Sequence, residues 1–407
     1  MICTEPADST LERVVTATPP AAVRPLYVVT RYPVLSETFI RLEVAAMRAN
    51  GARVEVLATH AGDPGVDGGP VHLLFDEPSG GRDAALAHFM VALRHPVRYA
   101  RLLLLAARLR EPGLCWRWLP WWSRWIEREG ITHVHAHFAW DAASRAWGLS
   151  VLTGRPWSFT AHGHDVFASP QNLTRKVKAA DAVITVCEYN RQHLAAIAGT
   201  ERHIDVIACS VEIPASVSAP SAQWDVVAAG RLVPKKGFDV LLDAAAVMRE
   251  RGEHPKIGIV GTGPSADALH AQRERLDLDG SVTFLGAMSH EETLATIGSA
   301  KLFCLPCVIA ADGDRDSMPV VAKEAMARAL PVVGSDALGI PEMVSATTGW
   351  LVPPGDAGAL ADALCACLSD PTEAARRGVL GRERAERDFD VHKAALQLHG
   401  LFARVAR

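Results

Sequence analysis

Two kinds of apolar pattern alternate along this chain. Short continuous runs, such as Leu26-Tyr-Val-Val-Thr30 and Val54-Glu-Val-Leu-Ala58, are separated by longer stretches in which apolar residues recur every three or four positions. The short runs predict buried strands and the longer stretches predict amphipathic helices. Between the first two strands lie a loop over 31–38 and a helix carrying Phe39, Ile40, Leu42, Val44, Ala45 and Met47, with Ser36 as its expected N-cap and Gly51 at its end. Strand, helix and strand with short connections form a βαβ unit, and hence a parallel sheet. Further strands are expected at His133–His137, Trp157–Ala161, Ala182–Cys187 and Ile204–Ala208.

The rhythm then stops and restarts. Residues 211–222 are rich in Pro, Ser and Ala and poor in long apolar side chains, which marks a linker. Strands follow at Asp225–Ala229, Lys256–Val260, Val282–Leu285, Leu302–Leu305 and Gly349–Val352, and helices over 357–368 and 391–407 close the chain. The fold class is therefore α/β. Residues 1–24 are expected to be a flexible tail, 25–210 a first Rossmann-like domain, 211–222 the linker, and 223–390 a second such domain. The helix 391–407 is expected to pack back on the first domain. A cleft between two such domains is the expected small-molecule site.

Composition narrows the function. With a net charge of −4 over 407 residues, nucleic acid is not the expected partner, and any anion site must be local. The first 24 residues lack the basic start and apolar core of a signal peptide. No uncharged apolar run approaches the ~18 residues of a spanning helix. The expected location is cytoplasmic, at most peripheral to the inner face of the plasma membrane. Eight cysteines make no disulfide framework in a chain this long, and Cys304 and Cys307 are expected to be buried core residues. His133, His135 and His137 share one side of a strand, but no fourth ligand stands out, so no metal is expected.

Residues 84–128 stand apart. They hold five of the ten tryptophans (Trp116, Trp118, Trp121, Trp122 and Trp125) among many arginines and few acids. Two readings fit: helices packed on the sheet with arginine stems covering apolar area, or contact of residues 92–128 with an anionic membrane.

The candidate chemistry gathers in three places. Asp316 to Ala327 reads as a polar loop opening a helix, with Ser317 as N-cap and Pro319 in the first turn. The start of such a helix offers free N–H groups and a positive dipole end to a phosphate. Arg231 and Lys236 flank a Gly/Pro-containing loop after a strand and can neutralise a diphosphate. Glu324 can accept hydrogen bonds from a ribose diol. His162 follows a strand and precedes Gly163, which predicts a free ring at the strand's carboxyl end. Gly261-Thr-Gly263 is a weak phosphate-loop signal, because it lacks the third glycine of a dinucleotide fingerprint. His164, Asp312 and Asp314 are loop candidates without an assigned role.

One ordered series carries more. Gly230-Arg-Leu-x-x-x-Lys236-Gly, Val-Gly-x-Gly-Pro264, Phe284-Leu-Gly286, an acid (Asp316) separated from Glu324 by seven residues that include Pro319-Val320, Gly339-Ile-Pro-Glu342 and Gly349-Trp-Leu-Val-Pro-Pro-Gly-Asp follow one another in the second domain. The series resembles the retaining GT-B glycosyltransferases of family GT4. Ser36-Glu-Thr-Phe, His135-Ala-His-Phe and Phe159-Thr-Ala-His-Gly-x-Asp165 in the first domain are similar to the colanic-acid and exopolysaccharide branch.

The resemblance implies a GT-B fold and a nucleotide-sugar donor, UDP-linked or else GDP-linked, held by the second domain. Gly230, Arg231, Lys236, Gly261, Gly263, Gly286, Ser317, Met318, Pro319, Val320 and Glu324 would line the donor site. Arg231 and Lys236 would hold the diphosphate, Glu324 the ribose and Asp316 the hexose, with His162 near the reacting carbon. It implies retention of configuration, no cofactor or metal, and a growing lipid-linked glycan as acceptor. Two departures stand out. Asp316 replaces the family's usual Glu, and the loop 31–38 replaces a glycine-rich one. Three alternatives remain: decoration of a small secondary metabolite, a nucleotide-sugar-binding protein without turnover, and an NAD-dependent oxidoreductase. The last is disfavoured by the missing G-x-G-x-x-G.

Overall fold

Among the described residues every strand pair is parallel, and the strands fall into two sheets. The structure is a computed structural model and describes residues 23–76, 81–199, 204–217 and 223–406. The first sheet contains β1 (Pro25–Tyr32), β2 (Glu55–Ala61), β3 (His72–Leu73), β4 (His133–His137), β5 (Trp157–Ala161), β6 (Ala182–Thr185) and β7 (Asp205–Val206) in the order β3-β2-β1-β4-β5-β6-β7. The second contains β8 (Trp224–Ala229), β9 (Ile257–Val260), β10 (Val282–Gly286), β11 (Ala300–Leu305), β12 (Val332–Ser335) and β13 (Gly349–Val352) in the order β10-β9-β8-β11-β12-β13. In both, the winding direction reverses beside the first strand, between β1 and β4 and between β8 and β11. Open α/β sheets bind ligands outside the carboxyl ends of their strands at such a reversal.

Apolar strands buried on both faces explain why these sheets read as continuous hydrophobic runs. One face of the first sheet packs on α3 (Pro96–Leu109), α4 (Leu119–Glu129) and α5 (Asp141–Thr153) through Leu102, Trp122, Trp125, Ile126 and Leu149. The other packs on α1 (Thr38–Ala49) and on the C-terminal helix Val391–Val405, through Ile40, Met47, Leu398 and Phe402. The chain thus returns to the first sheet. Beside this return, Val211 pairs in parallel with Asp390, and Val391 N–H donates to Val211 O at 3.0 Å. The two passages between the domains run side by side.

Several expectations need revision. The tail lies outside the described residues as far as residue 22. From Val23 the chain is in place, with Arg24 N–H donating to Thr132 Oγ1 at 2.9 Å. Residues 218–222 of the expected linker also lie outside the described residues. Ser36 is not the cap of α1: it sits inside the short 3-10 turn Leu35–Glu37, and Glu37 occupies the cap position without a side-chain bond. The helix after Asp316 begins only at Val320, since Pro319 is extended with ψ 128° and itself holds the cap position. Ser317 therefore lies outside the helix and Pro319 outside its first turn. Pro319 also disfavours a helical Met318, which moves the start downstream.

The tryptophans turn inward. Trp122 and Trp125 are buried, and Trp116, Trp118 and Trp121 pack on the same core. Trp122 Nε1–H donates to Leu74 O at 3.2 Å, giving its one polar atom a partner in the interior. Cys304 and Cys307 are buried free thiols. Among the described residues, no helix is long and apolar enough to cross a membrane.

Candidate active site

The two sheet reversals face one another across the domain boundary, and the candidate residues sit on the loops between them. From the second sheet come the loop after β8 (Gly230 to Gly237) and the loop after β11 (Pro306 to Pro319). From the first come the loops after β1, β4 and β5.

The loop after β8 carries three cations. Arg231 is exposed and makes no ion pair among the described residues. Lys236 Nζ lies 2.5 Å from Asp316 Oδ2. Lys235, which the sequence did not single out, lies 3.1 Å from Asp314 Oδ1 and 3.2 Å from Asp316 Oδ1. Burial pushes the Asp316 carboxyl up, yet Lys236 and Lys235 together hold it at about 2. Burial likewise works against the Lys236 ammonium, and Asp316 more than offsets it, so its pKa lies above the usual lysine value. Both ions are thus fully charged at neutral pH.

Glycine lets these loops approach. A Cβ on Gly230 would lie 3.1 Å from Lys236 Cε, and one on Gly261 would lie 2.0 Å from Gly230 O. Side chains there would push Lys236 and the loop after β9 out of place. Gly286 ends β10 and accepts from Gly261 N–H at 2.8 Å, which joins the three glycine loops into one rim. Gly263 also belongs to it: its Cβ would lie 2.4 Å from Leu232 O.

The helix Val320–Ala327 starts beside this rim. Ser317 is buried, and its hydroxyl has no hydrogen-bond partner among the described residues. Met318 is also buried. Glu324 Oε1 accepts from His290 Nε2 at 2.7 Å, and His290 Nδ1 lies 3.4 Å from Arg41 Nη2 of α1. Glu324 is thereby connected, through one imidazole, to the first domain. Sequence reading missed His290, which lies 34 positions from Glu324 and carries no local signal.

His162 does follow β5 directly, but its ring is not free. It is boxed by Phe39, Phe138 and His137 at centroid distances of 4.8, 4.5 and 5.5 Å. Its Nε2 lies 3.3 Å from His137 Nδ1 and its Nδ1 lies 3.7 Å from Cys209 Sγ. Burial first, then His137 and Lys323, depress its pKa well below the usual value, so the imidazole is neutral. Asp165 fixes this corner: its carboxylate accepts from His162 N–H at 3.0 Å and Ala139 N–H at 2.7 Å, tying the loops after β5 and β4 together. The more exposed ring is that of His164, whose Nδ1 lies 3.0 Å from Asp314 Oδ1 across the boundary.

The β4 histidines have partners of their own. His133 and His135 share Ser158 Oγ at 2.7 and 2.8 Å, and His137 Nε2 lies 3.2 Å from Glu43 Oε1.

Other contacts set the cleft. Glu342 accepts from Glu188 N–H at 2.7 Å and Tyr189 N–H at 2.8 Å, capping the first-domain helix Glu188–Ala198 from the second domain. Arg315 Nη1 donates to Tyr189 Oη at 3.0 Å. Buried Lys323 donates to Cys209 O at 2.6 Å, and burial lowers its pKa to about 8. Chemically, the cleft offers concentrated cations, a helix start and acceptors for hydroxyl groups. That set suits an anionic phosphate joined to a polyol.

Comparison with known proteins points the same way. The model described as glycosyltransferase family 4 matches residues 36–213, and that described as glycosyl transferases group 1 matches 223–370. WcaL of Escherichia coli (strain K12), named as a colanic acid biosynthesis glycosyltransferase, is 28% identical over 88% of this chain and 94% of WcaL. The amylovoran biosynthesis glycosyltransferase AmsK of Erwinia amylovora is 26% identical over 92% of this chain and 98% of AmsK. A GDP-mannose-dependent phosphatidylinositol monomannoside mannosyltransferase of Mycolicibacterium smegmatis is 31% identical over 56% of this chain and 64% of its own. Among solved structures, Anabaena HepE in complex with UDP superposes with a TM-score of 0.70 at 20% identity, covering 94% of this chain and all of HepE.

Proposed function

For a chain that belongs to the family 4 (group 1) glycosyltransferases and has their GT-B fold, we propose transfer of a hexose from a UDP-sugar to a hydroxyl of a growing, lipid-linked exopolysaccharide-type glycan. The observation that carries the reading is the cluster of Arg231, Lys235 and Lys236 beside the start of the helix Val320–Ala327 at the sheet reversal.

In this reading Arg231 and Lys236 hold the diphosphate, and Lys235 keeps Asp314 and Asp316 in register. As the C1–O bond breaks, its electron pair leaves with the nucleotide diphosphate, where these cations and the helix N–H groups stabilise it. The acceptor oxygen joins C1 on the face the nucleotide leaves, and its proton passes to the departing phosphate oxygen. Configuration is retained. Glu324, oriented by His290, takes the ribose, and Asp316 takes the hexose. His162, neutral in its aromatic box, serves as a hydrogen-bonding group near C1 rather than as an acid. No metal is required, because lysine and arginine supply the positive charge.

Two relatives support the acceptor class, since WcaL is named for colanic acid biosynthesis and AmsK for amylovoran biosynthesis. A GDP-sugar is the second donor reading, favoured by the GDP-mannose-dependent relative. The test is nucleotide release from UDP- and GDP-hexoses with a lipid-linked acceptor, in EDTA, with the product anomer read by NMR. UDP release with a retained anomer is expected. Inversion, or turnover only with added metal, would overturn those parts of the reading.

A further inference from the structure

Two helices of the first domain carry apolar residues on both their inward and their outward sides. α2 (Gly81–Arg94) and α3 meet at the single residue His95. Their inner stripes are as expected: Ala87, Val91, Leu102, Leu105 and Leu109 are buried. Yet a second apolar stripe faces outward. Leu86, Phe89, Leu93, Val97 and Leu104 are 53%, 65%, 71%, 65% and 56% exposed. With Arg101 and Arg108, they follow one another at spacings of three and four residues through the bend. Scattered exposed apolar residues are normal, but a contiguous set marks an interaction surface.

Charge decides the occupant. Arg82, Arg94, Arg101 and Arg108 are exposed on these two helices, and Asp83 is the single acid between residues 81 and 109. Arg94, Arg101 and Arg108 make no ion pair among the described residues. A second copy of the chain meeting this face about a two-fold axis would set arginines against arginines. An anionic lipid surface satisfies both features, taking the apolar side chains below the headgroups and the guanidinium groups at the phosphates.

We infer that the outward face of α2 and α3 docks the protein on an anionic lipid surface. The tryptophans of the neighbouring segment take no part, since they pack on the core. The inference stands on this face and not on the donor reading, though it would bring the cleft to a lipid-linked acceptor.

The test is co-sedimentation of the full chain with phosphatidylcholine vesicles, with and without phosphatidylglycerol. Binding is expected only with the anionic lipid, and it should fade in ~1 M salt, where the Debye length is ~3 Å. The triple variant Arg94→Gln/Arg101→Gln/Arg108→Gln should lower the partition coefficient by roughly 100-fold. The double variant Phe89→Glu/Leu93→Glu should abolish binding. Both variants should keep the melting temperature and any nucleotide-induced shift of the parent, which separates loss of docking from loss of fold or of the donor site. Equal binding to neutral vesicles, no binding to either, or binding unchanged in both variants would overturn the inference. So would a dimer in lipid-free ultracentrifugation that Phe89→Glu/Leu93→Glu converts to monomer, because the face would then be an interface between copies.

Discussion

The Asp316 carboxylate lies 2.5 Å from the Lys236 ammonium, each holding the other charged inside the cleft. A donor diphosphate bound as proposed would share Lys236 with this carboxylate. The two substitutions should therefore separate. Lys236→Ala should lower kcat/KM by about 100-fold or more, the scale for losing one stabilising group at a developing anion. Asp316→Asn should leave affinity for the free nucleotide diphosphate equal or tighter, because a competitor for Lys236 is gone, while transfer falls. Calorimetric titration with UDP beside initial rates checks both. Parallel loss of binding and transfer in Asp316→Asn would show the acid to be structural.

Glu342 holds the domains in register by capping a helix of the other domain. Glu342→Ala should cost about 0.5–2 kcal/mol, as the loss of a helix cap does. It should also lower transfer, although the residue lies off the cation cluster. Thermal melting and rates on the same sample test this. An unchanged melting temperature with unchanged rate would mean that the cap does not set the cleft.

Acid should destabilise the first domain. Burial depresses the pKa values of His133, to about 3, and of His135 and His162 below the ordinary 6.5. A depressed folded-state pKa gives stability that is present above 6.5 and is lost as pH falls towards the folded value. Asp165 acts oppositely. Burial raises it from 3.8 to about 6, so its contribution is present at low pH and is lost as pH rises through 6. Three imidazoles outweigh one carboxyl. The melting temperature should fall as pH drops from 7 to 4, and His133→Gln should flatten that slope. A melting temperature that rises on acidification would contradict the assignment of neutral buried histidines.

Trp122→Ala should cost about 3–5 kcal/mol, as removal of a fully buried aromatic side chain does. Leu93→Ala, on the exposed stripe, should stay within about 0.5 kcal/mol. Denaturant unfolding of both variants tests the inward turn of the tryptophans. Equal costs would place them wrongly.

What the sequence made legible follows from range. Strands such as β1 and β8 were readable because burial on both faces leaves a continuous apolar run, and the two-domain rhythm followed from them. Arg231 and Lys236 were readable because glycine and proline punctuate their loop. Lys235 was not, since an adjacent lysine looks solvated until the chain folds Asp314, 79 residues away, onto it. The pairs Glu342–Glu188 and His290–Arg41 bridge 154 and 249 positions and leave no local pattern. The Ser317 and Ser36 caps failed because a downstream proline and a 3-10 turn each shifted a helix start. His162 was placed correctly on its strand end, but its aromatic box is assembled from α1, β4 and the turn after β4.

The most direct measurement is a thermal-shift panel with UDP, GDP, ADP and NAD, in EDTA, on the parent and on Lys236→Ala. A ligand at ~100 times its dissociation constant adds about 2.7 kcal/mol, worth several degrees for domains of this size. The account predicts a shift with UDP that survives EDTA and disappears in Lys236→Ala. A shift with NAD alone, or a UDP shift that Lys236→Ala leaves intact, would contradict it.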